Sequence, residues 1–86
     1  MTINVTPDDI AAGIPRDPRR CALAHSLKRH GLREPYVCAD RVERANGPDL
    51  LLPAEAQAFV HLFDLSPEAA LVPFSFEAEL SWSNTP

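Results

Sequence analysis

The segment "VPFSFEAELSW", residues 72–82, restricts the fold more than any other part of the chain. Phe74, Phe76, Ala78, Leu80 and Trp82 alternate there with Ser75, Glu77, Glu79 and Ser81. A strand points successive side chains to opposite sides, so this period of two predicts a strand with one buried face and one wet, acidic face. Something apolar has to cover the buried face, and the rest of the chain supplies helices for it.

Those helices announce themselves by their ends. In "TPDDIAAG", Thr6 reads as an N-cap, Pro7 as the first helical residue, Asp8 and Asp9 as acids on the positive pole, and Gly13 as a stop. The segment "DPRRCALAHSLKRHG" repeats that grammar, with Asp17 capping, Pro18 opening and Gly31 closing. Leu23, Ala24 and Leu27 then share its apolar face, and Cys21, His25 and Arg29 form a stripe on the far side. A third helix opens at Pro53 and places Ala56, Phe59, Val60 and Phe63 at helical spacing, and "SPEAAL" predicts one more turn with Ser66 as cap.

Between and before the helices lie short extended stretches. "TINVT" is alternating and β-branched, while "YVCAD", "RVERA" and "ANGPDLLLP" read as a meander with Asn46-Gly47 as a tight turn. The expected architecture is α+β: a small antiparallel sheet with two to three helices packed on one face, in the order β-α-α-β-β-β-α-β, forming a single domain over residues 1–86. A chain of this size buries only roughly 60–65% of its unfolded surface, and a single sheet has two edges to protect. Tyr36, Trp82 and four Phe are the only aromatics of this thin core, so self-association into a homo-oligomer is expected.

Charge is partitioned along the chain. All eight Lys and Arg fall between Arg16 and Arg44, where four carboxylates leave a net +4; residues 1–15 carry −2 and residues 45–86 carry −6. The basic middle of a chain of net charge −4 points to an anionic partner for that segment, or to opposite charges facing each other across the fold. Arg16, Arg19 and Arg20 surround the predicted start of the second helix, where cations oppose both the dipole and the free N–H groups. A phosphate bound there would reverse the sign of that interaction, because guanidinium forks and backbone donors both match its oxygens. Tyr36 is placed to stack a base, with Arg41 or Arg44 closing on the ligand from a neighbouring subunit. The candidate ligand-binding residues are therefore Arg16, Arg19, Arg20, Tyr36, Arg41 and Arg44.

Other chemistries find little support in the residues. The chain contains no GxGxxG, P-loop, GxSxG or HExxH motif, and no enzyme is expected. Cys21 and Cys38 make no disulfide framework and no CxxC pair; they are read as reduced thiols with packing roles, with no metal and no cofactor. A pI near 5.2 argues against a protein that wraps nucleic acid. The chain lacks an apolar run of the ~20 residues that span a bilayer, and "MTINVTPDD" has neither the basic nor the apolar region of a secretory signal, so a cytoplasmic protein without membrane contact is expected.

The segments "INVTPDDIAAG", "RDPRRCALAHSLKRHG", "LLLPAEAQAFVHLFD" and "VPFSFEAEL" together resemble a family of small proteins from actinobacteria and their phages. The resemblance spans nearly the whole chain and rests on capping and packing elements; where the family carries a proline after the helix cysteine, Ala22 stands here. It implies a phage or prophage product acting in the bacterial cytoplasm. Products of that kind include anti-defence "sponge" proteins that sequester cyclic-nucleotide or ADP-ribose-type immune signals. Capture of such a phosphate-bearing molecule is the function expected, and a protein–protein interaction module that inhibits a host protein is the alternative.

Overall fold

In a computed structural model, residues 2–44, 47–66, 68 and 72–81 are described. The element order is β1 (Thr2–Val5), α1 (Pro7–Ala12), α2 (Ala22–Arg29), β2 (Tyr36–Val37), β3 (Arg41–Glu43), β4 (Asp49–Leu51), α3 (Ala54–Leu65), β5 (Phe74–Glu77) and β6 (Glu79–Ser81). This is an α+β fold of small antiparallel sheets and three helices, in the order that the sequence predicts. The terminal alternation is divided at Ala78: β5 pairs with β1, and β6 joins β4 at one side of a four-stranded sheet ordered β2-β3-β4-β6. One strand-like run thus serves two sheets while its register of two persists, with Phe76 and Ala78 both buried. Trp82, Asn46 and most of the turn expected at "SPEAAL" lie outside the described residues.

α1 begins as its sequence dictates. The Thr6 hydroxyl accepts from the Asp9 N–H at 3.2 Å, and the Asp9 carboxylate accepts from the Thr6 N–H at 2.9 Å, a reciprocal box that satisfies two donors otherwise left open. α2 ends equally clearly. Gly31, at φ +92°, turns the chain so that its N–H reaches the Lys28 carbonyl and the Leu32 N–H reaches the Leu27 carbonyl, both at 3.0 Å. That is the paired closure for which a residue without Cβ is preferred.

The start of α2 departs from expectation. Asp17 and Pro18 do organise the chain, but into a turn: the Asp17 carboxylate accepts from the Arg19 N–H at 3.0 Å and its carbonyl accepts from the N–H groups of Arg20 and Cys21. The helix itself starts at Ala22 with Cys21 as N-cap. Its first turn is interior, since Cys21, Ala22, Leu23 and Ala24 are all buried. Gly13 presses against it so closely that a Cβ there would lie 2.5 Å from the Ala22 nitrogen. Cys21 accordingly belongs to the core and not to an outer stripe.

α2 is the centre of the packing, touching α1, β1 and β2. Ile3 and Val5 from β1, Leu23 and Leu27 from α2, and Val42 and Leu50 from β3 and β4 form a continuous apolar core. The four Phe make a ladder from α3 to β5, with ring centroids 5.8 Å apart for Phe59–Phe63, 4.9 Å for Phe59–Phe74 and 5.6 Å for Phe74–Phe76. Where α1, α2 and β1 meet, the buried Asp9 carboxylate is gripped by Arg29, Nη2 to Oδ2 at 3.0 Å. Arg29 also donates to the Asn4 carbonyl, which accepts from Ser26 Oγ as well.

Candidate anion-binding cleft

The cleft is assembled by two returns of the chain. The first is the loop before α2, closed by the Ile14 N–H donating to the Arg20 carbonyl at 2.8 Å. The Val37 N–H of β2 then donates to the Pro18 carbonyl at 2.9 Å, which fixes this loop against the side of the sheet. That bond brings the Arg19 guanidinium over the Tyr36 ring, 5.5 Å from its centroid, a cation–π contact. The second return is the Gly31 closure, which sends Leu32 to Pro35 back from the end of α2 into β2. Leu32 and Pro35 are buried and present an apolar floor, while Tyr36 stands out with 41% of its surface exposed.

Between these returns lies a cavity of about 830 Å³, bordered by Arg19, Arg20, Lys28, Arg33 and Arg44 together with Leu32, Glu34, Pro35, Tyr36 and Glu43. Five of the eight cations of the chain thus surround one cleft against two carboxylates. Its volume falls within the ~300–1,000 Å³ usual for small-molecule sites. Two of the cations are held in place by carbonyl groups: Lys28 Nζ donates to the Arg19 carbonyl at 2.7 Å, and Arg44 Nε to the Pro48 carbonyl at 2.8 Å. Among the described residues, none of the five forms an ion pair with a carboxylate. Their charge is left available, and forked guanidinium donors beside an exposed aromatic ring can take a phosphate and a planar base together.

The other sequence candidates have separate employment. Arg16, at φ 64°, fastens the loop to the end of α3: its N–H donates to Asp64 Oδ1 and its Nη1 to the Asp64 carbonyl, both at 2.8 Å. It borders a smaller cavity of about 290 Å³ that also meets Cys21, Cys38 and Asp64. Burial pushes both thiols up, which disfavours the reactive thiolate. Arg41 points among Glu43, Asp49 and Asp40 at 3.6, 3.8 and 4.0 Å, and does not border the large cleft. Arg44 reaches the cleft within the same chain. The anion site expected at the positive pole of α2 has no room there, because that pole is packed against Gly13; Arg19 and Arg20 sit in the preceding turn. Lys28 and Arg33 were not among the sequence candidates, and the signal for them was the run "LKRHGLRE", whose glycine folds the helix end back along the cleft.

The chain matches no protein-family model, no curated protein and no solved structure. Among the described residues, no group of three or more His, Cys, Asp or Glu is placed to hold a metal ion, and no helix is long and apolar enough to cross a membrane.

Proposed function

We propose that this protein is a non-enzymatic binder that sequesters a phosphate-bearing small molecule, a cyclic-nucleotide or ADP-ribose-type signal, in the basic cleft. The observation that carries this reading is the set of five cations, without an ion pair among the described residues, around a cavity that also exposes the Tyr36 ring. A cluster of like charges repels itself, and a chain of net charge −4 has carboxylates to spare for neutralising it. Leaving the cluster unneutralised makes sense where a ligand supplies the counter-charge. Sequestration needs no chemistry on the ligand, only slow release, so that the free concentration falls below what its receptor needs. In this role the protein acts as a phage-type anti-defence sponge in the bacterial cytoplasm, with further copies of the chain closing over the open cleft in a homo-oligomer.

Calorimetric titration with cyclic dinucleotides and ADP-ribose tests the reading, with Arg20→Ala as the diagnostic variant. The Arg20 side chain makes no hydrogen bond or ion pair among the described residues, and the backbone bonds of Arg20 survive substitution, so Arg20→Ala leaves the fold intact and reports on ligand alone. Loss of one charge-assisted contact, about 1.5–3 kcal/mol, weakens binding roughly 10- to 150-fold. Unchanged affinity rejects the site. The exposed Leu62 and Leu65 of α3 favour a second reading, a protein–protein module, which predicts a host partner in a pull-down and no retained ligand in a native mass spectrum.

A further inference from the structure

We infer that the cleft selects guanine over adenine and hypoxanthine, with Glu43 as the residue that determines this specificity; the inference rests on the phosphate-binding reading above. A carboxylate in an otherwise cationic phosphate site weakens that site unless it recognises something else. Glu43 is the direct cross-strand partner of Tyr36. Paired residues of two antiparallel strands project from the same face with their Cβ atoms about 5 Å apart. The carboxylate therefore stands beside the ring on which a base would stack, and both border the same cavity. Arg19 lies over one face of that ring, and a base stacked on Tyr36 would take the opposite face.

Glu43 is also held in position. Arg41, two residues before it on β3, approaches its Oε2 through Nη2 at 3.6 Å from outside the cleft. Asp49, beside Arg41 at 3.8 Å, anchors that arginine in turn. Glu34, the second carboxylate at the cleft, has no such brace among the described residues and stands in the loop before β2 with φ 48°.

The chemistry of the base edges then makes the choice. An ionised carboxylate only accepts hydrogen bonds. Guanine offers two adjacent donors on its pairing edge, N1–H and the N2 amine, matched to the two carboxylate oxygens. Hypoxanthine keeps the first donor and lacks the second. Adenine turns the N1 lone pair toward the carboxylate, leaving a repulsive contact and an unpaired acceptor. Sites built around such polar matches discriminate far more strongly than apolar pockets do.

The test is calorimetric binding of GDP, IDP, ADP and inorganic pyrophosphate to the intact protein and to Glu43→Gln and Glu34→Gln. GDP is expected to bind at least tenfold tighter than ADP, with IDP between them. In Glu43→Gln the GDP-to-ADP ratio should fall below threefold while pyrophosphate affinity holds or rises; Glu34→Gln should keep the ratio. Both substitutions are at exposed positions, and matched thermal melts verify folding. Pyrophosphate binding that is sensitive to Arg20→Ala, with GDP and ADP within threefold of each other, overturns the guanine inference and leaves the phosphate reading standing. A preference that survives Glu43→Gln overturns the assignment of Glu43. If none of the four probes binds, the guanine inference falls, and if cyclic dinucleotides and ADP-ribose also fail to bind, the phosphate reading falls with it.

Discussion

Lys28 and Arg29 are neighbours at the end of α2, yet they belong to regions built on opposite principles. Arg29 turns toward β1 and α1, where Asp9 takes its charge and the Asn4 carbonyl takes another donor. Among the described residues, every buried side-chain nitrogen and oxygen has a partner. Lys28 turns the other way, donates to a backbone carbonyl, and leaves its charge facing the cleft with Arg19, Arg20, Arg33 and Arg44. The first region spends its electrostatics on holding the fold together; the second keeps them in reserve. The lesson is that a count of basic residues says little, whereas a count of those without a carboxylate partner locates a candidate site.

The closed corner should break hardest. Gly13→Ala forces a Cβ to 2.5 and 2.8 Å from backbone atoms of Ala22, which cannot move aside as a flexible side chain would. A loss of about 3 kcal/mol or more is expected in chemical denaturation, reached by overpacking and not by any change of charge. Asp9→Asn comes next, because it removes the ion pair with Arg29 and weakens the capping box. About 2 kcal/mol is expected, below the range for a fully buried pair since the Arg29 side chain is 46% exposed and can rehydrate.

The same residue gives the comparison a pH signature. Burial pushes the Asp9 carboxyl up, but the Arg29 and Thr6 hydrogen bonds outweigh it and hold the group below its ordinary value. The unfolded chain therefore takes up this proton at a higher pH than the folded one. The stabilisation from Asp9 is complete above the ordinary aspartate range near pH 4 and is lost as pH falls through the lower folded value. Denaturation midpoints measured from pH 6 to pH 2 should fall more steeply for the intact protein than for Asp9→Asn.

The open cleft should respond least. Arg33→Ala removes one of five like charges and no ion pair among the described residues, so stability should stay within about 0.5 kcal/mol or rise slightly. Added salt in the low-millimolar to physiological range should stabilise the intact protein more than this variant, because screening relieves repulsion that the variant has partly lost. A large destabilisation would place Arg33 with Arg29, among the residues that hold the fold.

The sequence was most legible where one short segment contains its own instructions. Thr6, Pro7 and Asp9 set the start of α1, and Gly31 sets the end of α2, through contacts within five residues. It was least legible where a distant segment decides. Asp17-Pro18 has the composition of a helix start, but the helix begins four residues further on because Gly13 and the core claim its first turn. The alternation from Phe74 onward fixes which side is buried, whereas its division at Ala78 depends on β1 and β4 competing for partners. At the cleft, Arg19, Arg20, Tyr36 and Arg44 stood out as basic or aromatic residues in a basic segment. Of the three carboxylates around Arg41, Asp40 and Glu43 are its sequence neighbours, but Asp49 arrives through the pairing of β3 with β4, which spacing alone does not reveal.

The bond from the Val37 amide to the Pro18 carbonyl has a bearing on how copies of the chain could join. β2 is a terminal strand of its sheet, and that amide is the hook on which an incoming strand would hang. With the hook already taken by the arginine-bearing loop, lateral zipping of one molecule onto another at this rim is blocked unless the loop first lets go. A protomer that docks here has to do so over the top of the cleft, through side chains, where it would act as a cover.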